Sequence, residues 1–169
     1  LNSPVADWRD GHGEMYVESG SNDTSGTGVD VLTVNTPNAT TSTWNNAASL
    51  NGGISRIQDG GARKLGITKD GAGTLELGGT NTYSGGTIVN AGTLRALSTS
   101  AFGGAGGTLT FGAGSTGIVQ LNGNNITIAA LNTDASPGSV FIENNNATVA
   151  TLNVNNSSAS SFAGVLRDG

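Results

Sequence analysis

The chain has one histidine, His12, inside Asp10-Gly-His-Gly-Glu14, with Asp7 just upstream and many serines elsewhere. Histidine, aspartate and serine are the types used in a catalytic relay, where imidazole takes the serine proton and the carboxylate orients the ring. No serine sits in the strained Gly-x-Ser-x-Gly elbow that exposes such a nucleophile, so His12 reads as a turn residue. Asp7, Asp10, Glu14 and Glu18 form a loose acidic cluster, oxygen ligands of the kind calcium takes. The glycine-rich nonapeptide that binds calcium in β-rolls is absent, and Gly26–Asp30 (GTGVD) only echoes it. The cluster reads as a solvated loop and strand face, and neither a metal nor a cofactor is expected. Glycoside cleavage needs two carboxylates held near each other. From Gly71 onward the carboxylates are Glu76, Asp134, Glu143 and Asp168, widely spaced along the chain. Trp8, Tyr16, Trp44 and Tyr83 have the faces needed to stack on sugar rings; as single aromatics among small residues they read first as core or cap residues.

The elements that would position these groups must be built from unusual material. Charged residues make up 11% of the 169 and aromatics 5%, against the quarter or so of charged residues in an average domain. Low hydrophobicity with high net charge would indicate disorder; here the net charge is only −5, and Thr, Val and Ile recur in short regular groups. A fold with a narrow core fits this composition, each short strand burying one or two side chains and glycine and asparagine making the corners. With no cysteine there are no disulfides and no thiolate chemistry. Seven scattered basic residues give no footprint for nucleic acid. No apolar run approaches the length of a membrane-spanning helix, and no signal peptide precedes the domain.

Candidate strands are Glu14–Glu18, Val29–Asn35, Lys64–Thr68, Gly73–Leu77, Thr87–Asn90, Thr93–Leu97, Thr108–Phe111, Gly117–Leu121, Asn125–Leu131, Ser139–Glu143 and Thr148–Val154. Several alternate apolar and polar residues, with Leu75 and Leu77 on one side and Thr74 and Glu76 on the other. Leu94, Leu109, Ile126, Ile128 and Leu152 are expected to point inward with them. Only Thr43–Leu50 has any helical character. Gly-Thr-Leu recurs at Gly73–Leu75, Gly92–Leu94 and Gly107–Leu109, in steps of 19 and 15 residues that suit single coils of a β-solenoid. A longer repeat relates Val31–Asn35 and Ile57–Gly60 to Thr151–Asn155 and Leu166–Gly169, with Trp8–Gly11 as a weak third copy of the Asp-Gly close.

The stretch Ile67–Ala96, ITKDGAGTLELGGTNTYSGGTIVNAGTLRA, resembles the passenger-associated transport repeat, also called the autotransporter-associated β-strand repeat. The resemblance rests on Lys69, Gly71, Gly73, Thr74, Leu75, Asn81, Thr82, Tyr83, Gly85, Gly86, Thr87, Asn90, Ala91, Gly92, Thr93 and Leu94. Phe162–Gly169 looks like the lead-in that precedes such a repeat. The resemblance implies a right-handed parallel β-helix in a large secreted or surface-displayed bacterial protein. Within the motif Tyr83 is expected to cover an apolar edge with its hydroxyl at the surface. Gly85–Gly86 and Gly92 are expected at tight corners, and Asn81 and Asn90 on turn backbone.

The expected architecture is therefore an all-β right-handed parallel β-helix with Gly/Asn-rich turns, residues 1–169 forming one segment of a longer tandem array. The expected function is a rigid spacer in an extracellular or cell-surface fibre or adhesin stalk, without catalytic, cofactor or metal residues. The alternative is an adhesin module that binds glycan or protein through an exposed face; a polysaccharide-active enzyme comes third. Partners are further repeats of the chain or other copies end to end, since no polar cap is evident and Gly169 reads as the middle of an array.

Overall fold

The computed structural model describes residues 28–44, 56–60, 62–156 and 159–169, together with the backbone course of 5–8 and 15–18. His12, Asp10 and Glu14, the side chains of Asp7, Glu18, Trp8 and Tyr16, and most of Thr43–Leu50 lie outside the described residues.

Glycine corners cut the chain into short strands. They are β1 (Val5–Trp8), β2 (Met15–Glu18), β3 (Val29–Asn35), β4 (Thr41–Trp44), β5 (Arg56–Gln58), β6 (Lys64–Asp70), β7 (Thr74–Leu77) and β8 (Thr87–Val89). After them come β9 (Thr93–Ala96), β10 (Thr108–Phe111), β11 (Ile118–Gln120), β12 (Ile126–Ile128), β13 (Ala130–Thr133), β14 (Phe141–Glu143), β15 (Leu152–Val154) and β16 (Val165–Arg167). One face stacks β3, β6, β8, β10 and β13 in that order; a second stacks β4, β7, β9, β11, β14 and β16. On the third side β12 pairs with β15, and β5 pairs with β2. Every pairing between named strands is parallel except that of β1 with β2. The chain thus winds from face to face in successive coils, and each strand bonds to the coil before and after it. This is a parallel β-helix.

Alternation along each strand becomes a column across the coils. Ser42, Leu75, Leu94, Val119, Ile142 and Leu166 stand opposite one another through the second face. Leu32, Ile67, Thr87, Leu109 and Leu131 do the same through the first, with Val34, Lys69, Val89 and Phe111 beside them. These columns meet as one core in which Leu75, Leu77, Leu94 and Leu109 are fully buried. Ile126 and Ile128 join it from the third side, whereas Leu152 packs on it half-buried.

Three expectations from sequence change. The first two Gly-Thr-Leu triplets are consecutive coils of one face, Thr93 opposite Thr74. The third is not the next coil: Leu109 pairs with Thr87 on the first face, so the 15-residue step crosses a corner. Asn125–Leu131 is two strands on two sides, β12 and β13, bent at Ala129, whose N–H donates to the Gly107 carbonyl at 2.8 Å. The long repeat is out of phase with the coils, because Val31–Asn35 lies in β3 on the first face and its counterpart lies around β15 on the third side.

The coil has little room at its corners. Gly92 has φ +66°, and a Cβ there would collide with the carbonyl oxygens of Gly73 and Gly71 in the coil before. Gly114 has φ +68° with open space around it. Gly114→Ala is expected to cost about 1–2 kcal/mol, the backbone term alone. Gly92→Ala adds the collision and is expected to cost about 3 kcal/mol or more. Thermal melts of the two variants check the difference; equal losses would show that the corner has room to yield.

Candidate functional site

The motif residues fall at two consecutive corners between the first and second faces and at the return between them. Gly73 and Gly92 close the corners; Thr74 and Thr93 open β7 and β9 facing outward, and Leu75 and Leu94 enter the core. The corner backbones themselves form a ladder. Thr93 N–H donates to the Gly73 carbonyl at 3.0 Å, Asn90 N–H to the Lys69 carbonyl at 2.9 Å, and Ile118 N–H to the Gly92 carbonyl at 2.8 Å. Asn90 thus enters the ladder through its backbone.

Lys69 is an inward-facing residue of β6, in column with Val34 and Val89, and it is fully buried. Its Nζ donates to the carbonyls of Asp70 at 2.8 Å, Gly71 at 2.7 Å and Ala91 at 2.9 Å. All three ammonium protons are used, and they clamp one corner to the next. Burial pushes the ammonium below the ordinary lysine value, with the charge of Asp70 opposing.

On the return, Asn81 bridges three coils. Its Oδ1 accepts the Ile57 N–H at 3.0 Å, and its Nδ2 donates to Gly78 and Ala101 carbonyls at 3.2 and 3.0 Å. Tyr83 does not show its hydroxyl to solvent. The whole side chain is buried, and its hydroxyl shares a 2.7 Å hydrogen bond with Thr87 Oγ1, an inward residue of β8. Burial raises the phenol far above its usual range, only partly offset by Thr87. The column gap left by threonine among larger residues is what lets the ring turn inward. Gly85 and Gly86 let the return pass tightly over β6: Gly85 N–H donates to the Leu65 carbonyl at 2.8 Å, and Ile67 N–H donates to that of Gly86 at 2.9 Å.

A further array is not evident from sequence. The third residues of successive second-face strands, Thr43, Glu76, Arg95, Gln120, Glu143 and Arg167, form one outward column. Thr43 Oγ1 donates to Glu76 Oε2 at 2.7 Å, and an Arg95 terminal nitrogen donates to Glu76 Oε1 at 2.9 Å. Arg95 Nε then donates to Gln120 Oε1 at 2.7 Å, Gln120 Nε2 to Glu143 Oε1 at 2.8 Å, and Arg167 Nε to Glu143 Oε2 at 2.7 Å. Arg167 also stacks over the Phe141 ring, 4.0 Å from its centroid. The signal lay in the strand sequences, TLE, TLR, IVQ, FIE and VLR, where a polar residue follows two that are threonine or apolar. Their uneven spacing hid the alignment.

This column determines what the two best-placed carboxylates can do. Glu76 and Glu143 are three coils apart, roughly 14 Å at the usual strand spacing, beyond the range used by either class of glycosidase. Each is also held by an arginine. Among the described residues no cluster of three metal-ligating side chains occurs. The aromatic face considered from sequence does not form, since Tyr83 is buried and Trp44 packs against the core. What the surface offers is a hydrogen-bonded ladder whose groups are spent on one another.

A parallel β-helix with repeated glycine corners defines the class of this molecule. Within it, residues 67–96 match the family model of the passenger-associated-transport-repeat, so the stretch from the end of β6 to β9 is one such repeat. A stretch of 72 residues, 43% of this chain, is 43% identical to the Adhesin BmaC autotransporter of Brucella suis biovar 1 (strain 1330). The aligned stretch covers 2% of that protein, so the chain spans a very small part of its length. No solved structure matches the chain.

Two outcomes follow from this geometry. Burial pushes the Glu143 carboxyl up, but hydrogen bonds from Gln120 and Arg167 and the arginine charge outweigh it and hold the group below its ordinary value of 4.5. Its contribution to stability is therefore complete above about pH 4.5 and is lost as pH falls through the lower folded value. Glu143→Gln is expected to flatten the acid limb of the melting temperature against pH; an unchanged limb would show that the ladder carries no linkage. Lys69→Met leaves three carbonyls short of a donor and is expected to cost about 2–4 kcal/mol by denaturant unfolding. A loss under about 1 kcal/mol would mean the corners hold without the clamp.

Proposed function

We propose that this chain is a segment of a secreted or surface-displayed bacterial passenger, in which it serves as a rigid, non-catalytic spacer. The observation that carries the reading is the unbroken stacking of coils. Backbone ladders run through both long faces, and the polar side chains of the second face are used in joining coil to coil. Such a structure resists bending because every added coil repeats the same bonds. The transport-repeat match and the likeness to an autotransporter adhesin support an extracellular or cell-surface location. Its partners on this reading are further repeats of the same polypeptide or copies of itself, end to end.

The second reading is an adhesive face, supported by the name of the Brucella relative and by one feature of the first face. Val29, Val31 and Ile88 are exposed there, flanking Gly66, which stands opposite Val31. A glycan or protein ligand would have to be met through that surface.

Electron micrographs of constructs carrying one, two and four tandem copies of residues 28–169 separate the readings. A spacer lengthens in proportion, by roughly 4.8 Å for each coil, at constant width. Particles that collapse to globules would overturn it. Screening the same rods on a glycan array tests the adhesive face: binding abolished by Val31→Lys would establish that reading instead.

A further inference from the structure

The segment Ile57-Gln58-Asp59-Gly60 is held by the next coil through side chains as well as backbone. Ile57 points into the core, and its N–H donates to Asn81 Oδ1 at 3.0 Å while its carbonyl accepts the Thr82 N–H at 2.9 Å. Asp59 takes donors with both oxygens. Oδ1 accepts the N–H groups of Leu65 at 2.7 Å and Ser84 at 3.0 Å, and Oδ2 accepts the Ser84 hydroxyl at 2.6 Å. An apolar-x-Asp-Gly plug is thus seated in an Asn-x-x-Ser socket, and the charge-assisted bonds to the carboxylate make the fit selective.

Leu166-Arg167-Asp168-Gly169 has the same plug pattern, with the same parity. Leu166 stands in the interior column opposite Ile142, as Ile57 stands inward, yet it is 65% exposed where Ile57 is 1% exposed. Asp168 is exposed. Within β16 the N–H of Val165 donates to the Val140 carbonyl at 3.1 Å, in the coil before. Parallel pairing alternates along a strand, so the N–H and carbonyl of Leu166 face the opposite way, toward the open side. Ile57 presents the same two groups to Asn81 and Thr82. Beside Leu166 lies a depression of about 240 Å³ lined by Leu121, Leu131, Ile142, Leu152 and Val154.

We propose that Leu166–Gly169 is a docking edge for a second coil of the 67–96 type, seated as Asn81–Ser84 sits on Ile57–Asp59. Its asparagine takes the Leu166 N–H. Its serine and the N–H of that serine bind the Asp168 carboxylate. Its tyrosine, the residue that is fully buried in the existing repeat, covers the apolar depression. The occupant is recognised by the Asn-x-x-Ser spacing and not by apolar contact alone. The inference rests on the spacer reading and names the joint by which the coils are added.

The test is a fusion in which residues 61–96 follow Gly169 directly, so that the second plug meets a second socket. The fusion is expected to melt in one transition, about 3 °C or more above the parent chain, and the Leu166 amide is expected to become protected from hydrogen exchange. Asp168→Ala should remove the gain in the fusion and leave the parent unchanged. Replacing the appended serine that corresponds to Ser84 by alanine should remove the same gain, and the two changes together should not add. Additive effects, a separate low-temperature transition for the added coil, or a Leu166 amide that exchanges as in the parent would overturn the proposal. Micrographs in which the protected fusion fails to lengthen would count against the spacer reading and leave the joint standing.

Discussion

Every coil of this molecule is bound to its neighbours by parallel backbone ladders, and that spacing governs the rest. A side chain has one partner about 4.8 Å above and one below, set by register and not by nearness in sequence. Types are therefore constrained column by column. The interior column through Leu75, Leu94 and Val119 works because each coil supplies one apolar residue at the same height. A core so narrow is filled by single leucines and isoleucines, which explains how a chain with few large side chains still folds. The same constraint leaves no slack at the corners, where a coil passes over the one before it and only glycine fits against the carbonyls of Gly71 and Gly73.

Two columns break the apolar rule, and both are internally satisfied. Lys69 occupies an interior position between Val34 and Val89, where an unpaired charge would be prohibitive. The carbonyls of two corners supply its partners, so the exception becomes a link between coils. The outward column from Thr43 to Arg167 alternates acid, base and amide, so that no two like charges stand directly opposite. Pairs of this sort add little stability by themselves. Their effect is on register: slipping β11 by one residue would place Val119 against Arg95 and Glu143 and leave both without their partner.

The third side absorbs the variation that the two long faces cannot. Along the second face the step from Thr74 to Thr93 is 19 residues, and that from Thr93 to Ile118 is 25. The difference is taken up largely in the returns, including the short 3-10 turn at Gly104–Gly106. A passenger spacer needs constant faces and tolerates variable returns, and the distribution of bonds in this chain follows that pattern.

The local rules were present in the sequence. Glycine pairs, two-residue alternation and the run from Ile67 to Ala96 by themselves determined a parallel solenoid, its corners and the inward set Leu75, Leu77, Leu94 and Leu109. These depend on backbone conformation and on neighbours within a few residues, which a sequence displays directly. Assignments between coils were decided by tertiary structure. Gly107–Leu109 belongs to a different face from the other two triplets, Tyr83 turns inward because Thr87 leaves space beside it, and Glu76, Arg95, Gln120 and Glu143 meet in one ladder. Each depends on how many residues the intervening return consumes. That number changes from coil to coil, so partners 19 to 25 residues apart carry no fixed spacing for a reader of the sequence to find.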